Sequence, residues 1–343
     1  MTSMARYLIF GGTGSLGKKL IDRLLPTDEV AVYSRDEAKH WTIKNELADH
    51  PNIGRLEFHV GDIRDSARVK DVIRQVRPQT IIVAAALKQV DTCELSPNEA
   101  VATNLVGTQN VIAAVNEAGP QPPEAVLFVS TDKACAPVNV YGMCKAVSER
   151  VVTSQARTGL QSVRFLAVRY GNVLESRGSI IPLFKHQAEH NEFLTVTDPN
   201  MTRFVMTLDD SVDLILNTLK SGKSGETWIP RLPAMRIGDL AAIFAERSGK
   251  TVKIIGLRPG EKAHEDLINE SESVRTRGGP DRHYIIGPAF NAGGGKSFTY
   301  TSADDVMSKE QLRDHLQTLG ILDRPLSEFT GRAIEEIVTN RKE

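Results

Sequence analysis

The feature that most constrains the fold is a glycine-rich turn near the start of the sequence. The apolar run Arg6-Tyr-Leu-Ile-Phe10 ends in Gly11-Gly-Thr-Gly-Ser-Leu-Gly17. After this turn, Leu20, Ile21 and Leu24 recur at helical spacing. A strand, a glycine turn and a helix in this order are typical of the first βα unit of a nucleotide-binding domain.

Apolar strands and helical patterns continue to alternate as far as residue 170. We predict strands at residues 29–33, 56–60, 80–85, 125–130 and 163–169, and helices at 67–76, 100–118 and 146–156. Repeated βα units place helices on both faces of a parallel sheet. The sequence therefore predicts an α/β fold with a Rossmann-type doubly wound parallel sheet over residues 1–170.

The rhythm changes after residue 170, where Gly and Pro punctuate the sequence more often. Helical patterns are visible at 208–219, 237–248 and 309–318. We predict a smaller mixed α+β lobe over residues 171–343, with a segment near 204–230 that returns to complete the first sheet. Open α/β sheets bind ligands at the carboxyl ends of their strands, so we expect 1–170 to bind a nucleotide cofactor and 171–343 a substrate.

The overall charge gives no reason to expect a polyanionic partner. Lys and Arg number 42 against 43 Asp and Glu, a formal net charge of -1. Neither nucleic acid nor a membrane surface is therefore expected as a partner. The longest nearly uninterrupted apolar run, 80–87, is far shorter than the ~18 to 20 residues that cross a bilayer, and we find no signal-peptide pattern. We expect a soluble cytoplasmic protein.

Cysteine usage agrees with that expectation. Cys93, Cys135 and Cys144 are odd in number and show no C-x-x-C spacing. They indicate reduced thiols rather than a disulfide framework or a zinc site.

Three glycines of the turn, Gly11, Gly14 and Gly17, stand three residues apart. Without side chains they permit a tight turn, allow the backbone to approach a pyrophosphate and let the helix pack closely. The helix N-terminus adds N–H donors and the positive end of its dipole. We predict a dinucleotide pyrophosphate site here, although an ordinary glycine turn would show the same spacing.

The residues after the second predicted strand bear on which dinucleotide binds. NAD-binding folds usually place an acidic residue there to bind the ribose 2'-hydroxyl. Here Ser34 and Arg35 come first, and a guanidinium has paired donors that suit a 2'-phosphate, which favours NADP. Alternatively, Arg35 is a solvated cation and Asp36 binds the ribose. After the third strand, Asp62 and Ile63 fit a site at the adenine edge.

Tyr141 and Lys145 form a Y-x-x-x-K motif, ten residues after Thr131. On a helix they lie one turn apart on one face, so the ammonium can approach the phenol through the ribose hydroxyls. A phenol with a pKa near 10 loses its proton near pH 7 at a cost of ~4 kcal/mol, and a cation ~4 Å away at an effective dielectric of ~20 supplies about that much. Thr131 adds a hydroxyl that can share the substrate proton. A surface Tyr and Lys can also show this spacing by chance.

These motifs belong to a set of sequence blocks that spans nearly the whole chain. The blocks are Gly11-Gly-Thr-Gly-Ser-Leu-Gly17, Val32-Tyr-Ser-Arg-Asp36, Ala84-Ala-Ala-Leu-Lys-Gln-Val90, Thr103-Asn104, Ser130-Thr-Asp-Lys-Ala134, Asn139-Val-Tyr-Gly-x-x-Lys145, Arg169-Tyr-Gly-Asn-Val173, Ser176-Arg-Gly-Ser179, Thr195-Val-Thr-Asp198, Met201-Thr-Arg-Phe204 and Arg258-Pro-Gly-Glu-Lys262. With them the chain resembles the extended short-chain dehydrogenase/reductases and, among these, the inverting UDP-N-acetylglucosamine 4,6-dehydratases of bacterial polysaccharide biosynthesis. Retaining dehydratases carry an Asp-Glu pair in place of Asp132-Lys133, and one subgroup has methionine in place of Tyr141.

The resemblance implies an NADP-dependent lyase that converts UDP-N-acetylglucosamine, or a close UDP-HexNAc, to a UDP-4-keto-6-deoxy-L-HexNAc. It also implies a homo-oligomer and no metal. The catalytic residues that it implies are Thr131, Asp132, Lys133, Tyr141 and Lys145. The cofactor-binding residues are Gly11, Thr13, Gly14, Ser15, Leu16, Gly17, Ser34, Arg35, Asp62, Ile63, Ala85, Ala86, Lys88, Asn104, Tyr141 and Lys145. The substrate-binding residues are Lys88, Asn172, Ser179, Thr195, Arg203, Arg258 and Glu261.

The chemistry of eliminating water also gives a reason to expect an acid and a base at Asp132 and Lys133. The C5 proton of a hexose becomes acidic only when C4 is a ketone, so C4 is oxidised first and hydride finally returns to C6. Between these steps a base takes the C5 proton while an acid assists departure of the C6 hydroxyl. Lys133 as a desolvated base and Asp132 as a protonated acid match that demand. A polar turn with both side chains solvated is the alternative.

Other functions would use some of the same residues. A UDP-sugar 4-epimerase or a retaining 4,6-dehydratase would share the glycines and the Tyr-Lys pair. A noncatalytic NADP-binding regulator would keep the sheet and lose the chemistry. The intact set of Thr131, Tyr141 and Lys145 argues against the regulator.

Overall fold

Strands and helices alternate along most of the chain. The structure is a computed structural model that describes residues 4–174, 179–258, 260–291 and 293–326. The strands are Arg6–Phe10 (β1), Glu29–Ser34 (β2), Leu56–Val60 (β3), Thr80–Val83 (β4), Ala125–Val129 (β5), Arg164–Val168 (β6), Phe193–Val196 (β7), Thr202–Phe204 (β8), Thr227–Pro230 (β9), Ala234–Arg236 (β10), Thr251–Ile254 (β11), Asp266–Ile268 (β12), Thr276–Gly278 (β13), His283–Ile286 (β14) and Tyr300–Thr301 (β15).

The helices lie between these strands and include two irregular types. The α-helices are Ser15–Leu24 (α1), Glu37–Glu46 (α2), Ser66–Val76 (α3), Val90–Leu95 (α4), Pro97–Ala100 (α5), Gly107–Asn116 (α6), Val140–Thr153 (α7), Gln155–Thr158 (α8), Ile180–His190 (α9), Leu208–Ser221 (α10), Ile237–Ser248 (α11), Glu270–Ser273 (α12) and Lys309–Thr318 (α13). A π-helix spans Val101–Val106, and 3₁₀ turns span Ile53–Arg55 and Asp132–Ala134. Residues 176–178 of one sequence block lie outside the described residues.

Nine of the described strands form one sheet, in the order β13-β14-β9-β6-β5-β4-β1-β2-β3. The neighbours from β9 to β3 are all parallel, whereas β14 and β13 are antiparallel. Buried apolar side chains of the strands pack against those of α3 and α6, among them Phe128, Val72 and Val111. This architecture confirms the predicted α/β fold with a Rossmann-type parallel sheet.

The chain groups into two compact units. The first combines the described parts of Met1–Tyr170, Asp209–Arg231 and Ile268–Thr299, and it contains the whole nine-stranded sheet. The second combines those of Gly171–Leu208, Leu232–Leu267 and Tyr300–Glu343. Residues 268–299, which the sequence assigned to the second lobe, group with the sheet because β14 pairs with β9 at its edge.

The second unit has a mixed composition of helices and short strands. It contains the parallel ladder of β7 with β11 and the antiparallel ladder of β8 with β10. Its core includes Phe184 on α9, Leu240 on α11 and Leu316 on α13. Among the described residues of both units, no helix combines the length and apolarity needed to span a bilayer.

Two helices differ locally from the sequence prediction. The helix predicted at 146–156 begins at Val140, because the side chain of Asn139 caps it. The single helix predicted at 100–118 is interrupted by the π-helix. Both differences fall in elements that carry predicted site residues.

Candidate active site

The glycine turn between β1 and α1 fits a dinucleotide. Gly11 has φ of +86°, and a Cβ there would lie 2.7 Å from the backbone of Ala85. A Cβ on Gly17 would lie 2.3 Å from the carbonyl oxygen of Gly12, so this position also requires glycine. At Gly14, the N-cap of α1, such a Cβ would have only the carbonyl oxygen of Gly11 within 4 Å. This open side leaves room for a pyrophosphate at the helix N-terminus.

Three more predicted cofactor residues belong to the same turn. Thr13 is buried within it. Ser15 and Leu16 form the start of α1, whose N-cap glycine supplies no side-chain hydrogen bond. First-turn N–H groups of a helix have no partner within the helix, which suits them to bind an anion.

Two charged residues follow β2, and they differ in their surroundings: Asp36 caps a helix, whereas Arg35 is accessible. Asp36 caps α2, accepting a hydrogen bond from the Lys39 N–H at 3.1 Å. Ser34 Oγ lies 2.7 Å from His40 Nε2. The Arg35 side chain is 53% exposed, with its Nη1 3.6 Å from an oxygen of Asp62. Asp36 is thus engaged locally, whereas Arg35 is accessible to a ligand.

Asp62 and Ile63 follow β3. Arg64 donates hydrogen bonds to both carboxylate oxygens of Asp62, at 2.7 to 3.0 Å. Burial opposes the charge of Asp62, but the hydrogen bonds from Arg64 and the charge of Arg35 hold the pKa of this carboxyl below its usual value. Ile63 is buried against α6, where a Cβ on Gly107 would meet it at 2.6 Å.

The loop after β4 holds Ala85, Ala86 and Lys88 and is anchored by the π-helix. The Oδ1 atom of Asn104 accepts from the Leu87 N–H at 2.7 Å, and its Nδ2 donates to the Leu87 carbonyl at 2.9 Å. The side chain of Asn104 therefore positions this loop by binding the backbone of Leu87. A direct contact of Asn104 with a cofactor stays a prediction.

Asp132 and Lys133 lie together in the 3₁₀ turn after β5. The Lys133 ammonium donates to Asp132 Oδ1 at 3.1 Å, and the Lys133 N–H donates to the same oxygen at 2.8 Å. Thr131 Oγ1 also donates to it, at 2.9 Å. The Asp132 side chain is 1% exposed and that of Lys133 22%. A buried carboxyl and a partly accessible amine thus form an adjacent pair between which a proton can pass.

The start of α7 packs directly against this turn. The Asn139 side chain accepts from the Gly142 N–H at 2.8 Å and so fixes the first helical residue. A Cβ on Gly142 would lie 2.1 Å from the Lys133 carbonyl oxygen. Glycine at this position therefore lets α7 approach the turn and brings Tyr141 beside Thr131.

Burial raises the pKa of Tyr141 to about 12. The positive charge of Lys133 and a hydrogen bond with Thr131 oppose that rise. The sequence predicted that Lys145 is the cation that acts on the phenol. In the structure the charge of Lys133 also acts on this phenol, because Lys133 lies on the turn against which α7 packs. The effect of Lys145, expected through the ribose of a bound cofactor, stays a prediction.

Lys145 lies beneath the end of β5. Its ammonium donates to the Val129 carbonyl oxygen at 2.5 Å and is 3.8 Å from the centroid of the Phe128 ring. Burial lowers the pKa of Lys145 to about 7, and the charge of Glu149 opposes this shift. Lys145 is therefore a buried amine whose charge state depends on its neighbours near neutral pH.

The sequence analysis missed several residues that support this site. Gly142 was quoted within a block without a function, as was Arg169, and neither Glu149 nor Glu272 was identified. Arg169 follows directly after a buried strand and makes ion pairs with both glutamates. A charged residue immediately after an apolar strand was the available signal for it.

The predicted substrate residues after position 170 lie in the second unit. Asn172 Oδ1 and Ser179 Oγ are buried and have no hydrogen-bond partner among the described residues. Buried polar atoms are nearly always hydrogen-bonded, so each is expected to have a partner outside the described residues. Thr195 Oγ1 accepts from Gln187 Nε2 at 2.7 Å.

Two predicted substrate arginines make contacts within the second unit. The Arg203 guanidinium donates to the carbonyl oxygens of Thr202 and Lys262, at 2.7 and 3.0 Å. The Arg258 N–H donates to Glu261 Oε2 at 3.1 Å. Arg203 therefore ties β8 to the segment before β12, and contacts of these residues with a pyrophosphate stay predictions.

The described residues contain no group of three or more His, Cys, Asp or Glu side chains arranged to hold a metal. All three cysteines are present as buried thiols. The predicted cofactor residues lie at the carboxyl ends of β1, β2, β3, β4 and β5, the edge at which open α/β sheets bind ligands, with a Tyr-Lys pair on α7.

Comparison with known proteins identifies the family. Residues 7–286 match the model of a family described as "Polysaccharide biosynthesis protein". The chain belongs to this family and has the fold of the extended short-chain dehydrogenase/reductases.

Individual relatives carry the names of different enzymes. The UDP-glucose 4-epimerase of Rickettsia felis is 40% identical over 278 residues, which are 78% of this chain and 79% of that one. The structure of Pen from Bacillus thuringiensis is 36% identical, with a TM-score of 0.86 over 93% of this chain and 98% of that one. The dTDP-glucose 4,6-dehydratase DesIV from Streptomyces venezuelae, solved with NAD bound, is 25% identical, with a TM-score of 0.65 over 75% of this chain and 86% of that one.

Proposed function

We propose that this chain is an NADP-dependent UDP-N-acetylglucosamine 4,6-dehydratase that inverts C5. The observation that carries the proposal is the Asp132-Lys133 pair, 3.1 Å apart in the turn against which Tyr141 packs. Oxidation and reduction at C4 need only one proton-transferring group. The second, adjacent pair of titratable groups supplies what elimination of water requires in addition.

Each side chain of the site then has a defined task. Tyr141, hydrogen-bonded to Thr131, takes the proton of the C4 hydroxyl. Lys133 takes the C5 proton, and Asp132 protonates the departing C6 hydroxyl. A bound NADP would accept hydride from C4 and return it to C6. Return of the C5 proton on the opposite face inverts that centre.

Arg35 supports NADP over NAD. Its guanidinium is accessible at the end of β2, and the neighbouring Asp36 is engaged as a helix cap. A planar guanidinium can bind two oxygens of a 2'-phosphate at once. We further propose that the unit containing the sheet, which combines residues 1–170 with 209–231 and 268–299, binds the cofactor, and that the second unit binds the nucleotide sugar.

The nucleotide sugar would be bound by the residues that the resemblance implies. The unsatisfied oxygen atoms of Asn172 and Ser179 support this assignment, because each needs a hydrogen-bond partner. The proposed substrate-binding set is Lys88, Asn172, Ser179, Thr195, Arg203, Arg258 and Glu261.

We further propose a homo-oligomer. Val101 and Val106 on the π-helix and Met143 and Val147 on α7 are exposed, and these two helices pack against each other. Clustered exposed apolar side chains favour burial against another subunit. Light scattering in solution would give the mass of the assembly.

A second candidate function is UDP-sugar 4-epimerisation. It is favoured by relatives that are named UDP-glucose 4-epimerase, one of which is 40% identical to this chain over 278 residues. An epimerase returns hydride to C4 and leaves C5 and C6 untouched, so it has no use for the Asp132-Lys133 pair.

One experiment separates these functions. Incubation with UDP-N-acetylglucosamine in heavy water, followed by NMR, is expected to give a 4-keto-6-deoxy product with deuterium at C5 and inverted configuration there. A C4 epimer without deuterium would identify the epimerase, and retained C5 configuration the retaining dehydratase. Absence of any turnover would favour the regulator.

Variants of the pair sharpen this result. Lys133→Met should still allow oxidation at C4 but stall before water is lost. Lys70→Met makes the same substitution at a lysine on the surface of α3, where Lys70 pairs with Glu117, and serves as a control that leaves the pair intact. If Lys133→Met dehydrates at the normal rate, Lys133 is not the base.

A further inference from the structure

A buried ion network lies behind the catalytic face of α7. The Arg169 guanidinium donates to both oxygens of Glu149, at 2.5 and 3.1 Å, and to both oxygens of Glu272, at 2.7 and 2.9 Å. All three side chains are at most 4% exposed. Arg150 adds a further contact to Glu272 at 3.0 Å. Two bidentate pairs on one guanidinium fix the orientation of both carboxylates.

Glu149 connects this network to the catalytic lysine. It follows Lys145 by four residues on α7, one helical turn, and both residues are buried. Its negative charge raises the pKa of Lys145 against the larger lowering by burial. The bidentate contact with Arg169 holds the Glu149 carboxylate in one orientation relative to Lys145.

We propose that Glu149 is a positioning residue that keeps the ammonium of Lys145 charged, with Arg169 and Glu272 holding Glu149 in place. The proposal rests on the proposed function, with Lys145 as the lysine of the Tyr-Lys pair that the resemblance implies to be catalytic. Lys145 would carry its charge beneath the ribose and phenol, where a neutral amine could not stabilise a phenolate. Glu149 itself touches neither substrate nor cofactor in this proposal.

Other charged groups surround α7 and were considered. The elements packed against it carry Asp91, Cys93 and Glu94 on α4, Glu99 on α5, Asp132 and Lys133 on the 3₁₀ turn, Arg157 on α8, and Arg164 and Arg169 at the two ends of β6. The groups that raise the pKa of Lys145 are Glu149 and Cys144. Burial raises the pKa of the Cys144 thiol, so it is neutral near pH 7. Glu149 is therefore the anion to test.

The same network reaches the turn that carries the acid-base pair. Cys135 directly follows the 3₁₀ turn, and its thiol donates a long hydrogen bond to Glu272 Oε2 at 3.8 Å. The Cys135 N–H also donates to the Asp132 carbonyl at 2.9 Å. Glu272 thus contacts both the arginine that holds Glu149 and the turn against which α7 packs.

The first test follows the titration of Lys145 directly. Glu149→Gln keeps the size of the side chain and one acceptor but removes the charge. In protein labelled with ¹³C at the lysine Cε, the Lys145 resonance is identified by its loss in Lys145→Met. We expect its pKa to fall by about one unit or more in Glu149→Gln, so that the charged fraction at pH 7 falls about fivefold.

Two matched variants distinguish a charge effect from loss of structure. Glu149→Asp keeps the charge and should restore most of the Lys145 titration. Thr153→Val removes a hydrogen bond to the Glu149 carbonyl on the same helix without changing any charge, and it should leave the titration unchanged. In turnover assays, the basic limb of the kcat profile should move to lower pH in Glu149→Gln alone.

Glu149→Gln leaves Arg169 with one carboxylate fewer, which can impair folding. The double variant Glu149→Gln/Arg169→Gln removes both charges together and should show the same fall in the pKa of Lys145. An unchanged Lys145 titration in either variant would overturn the proposal. Because the titration needs no substrate, it decides the matter even if the proposed dehydratase activity is not found.

Discussion

Two charged clusters in the first unit use the same residue types in opposite environments. Glu149, Arg169 and Glu272 are buried behind α7 and joined by bidentate hydrogen bonds. Asp62 and Arg64, with Arg35 nearby, form a cluster at the ends of β2 and β3, where both arginines are more than one-third exposed. The first cluster is fixed by packing, and the second is open to solvent.

The difference shows how burial decides what a charged cluster can do. Removing one member of a buried pair leaves an uncompensated charge, so such a cluster holds its geometry and shifts the pKa values of its neighbours. Exposed pairs contribute little to stability and are screened by salt. The exposed cluster can therefore exchange partners with an incoming phosphate, whereas the buried one can only hold its neighbours in place.

The largest expected effect comes from the buried phenol. Tyr141→Phe keeps the packing but removes the group that takes the C4 hydroxyl proton in the proposed function, so kcat should fall by about 10³-fold, or ~4 kcal/mol. Deuterium incorporation at C5 should be lost with it, since that proton becomes acidic only after oxidation at C4. Product NMR measures both. Full dehydration by this variant would assign the proton transfer to another residue.

The second effect concerns stability and sharpens the comparison between the clusters. Burial favours the neutral acid, but Arg169 and its neighbours hold the pKa of Glu272 well below its usual value. Glu272→Gln should lower the free energy of unfolding by about 3 kcal/mol at pH 7, because it leaves Arg169 without one of its two partners.

The pH dependence of that effect has a defined sign. A carboxyl whose pKa is depressed in the folded state contributes stability that is fully present above its unfolded value, ~4.3 for Glu. The contribution is lost as pH falls below that value. In urea unfolding, the two proteins should therefore differ at neutral pH and converge in acid. A difference that stays constant with pH would exclude an ionic origin.

A smaller effect is expected for ligand selection by the exposed cluster. Arg35→Ala should lose most of the proposed preference for NADP over NAD, about tenfold or ~1.4 kcal/mol, because the charge and the paired donors both disappear. Arg35→Lys keeps the charge without the planar fork and should retain part of the preference. Calorimetric titration with each cofactor gives the dissociation constants. Equal affinities in the unmutated protein would refute this assignment.

The smallest effect is the stability contribution of the exposed cluster itself. Asp62→Asn is the counterpart of Glu272→Gln, and without cofactor it should cost less than about 1 kcal/mol. The cost should shrink further in concentrated salt, since exposed pairs are screened. A loss as large as that expected for Glu272→Gln would remove the distinction between the two clusters.

Local patterns predicted much of the fold and many of the candidate residues. The bounds of β1 and β3 match the apolar runs in the sequence, as do those of α11 and α13. These elements have clear apolar periods, and a strand or helix with one buried face needs little beyond that pattern. The start of α7 was predicted six residues late, because its cap at Asn139 and the packing at Gly142 depend on the neighbouring turn.

The βα alternation, the glycine turn and the Tyr141-Lys145 spacing each depend on residues close together in the chain, so the amino-acid sequence predicts all three. Which charges act on which groups depends instead on contacts that form only when the chain folds. Arg169 joins Glu149, 20 positions away, to Glu272, 103 positions away, and the charge of Lys133 on the neighbouring turn acts on the Tyr141 phenol. The strength of a charge depends on burial and on partners brought together by folding, and neither is a property of a local segment.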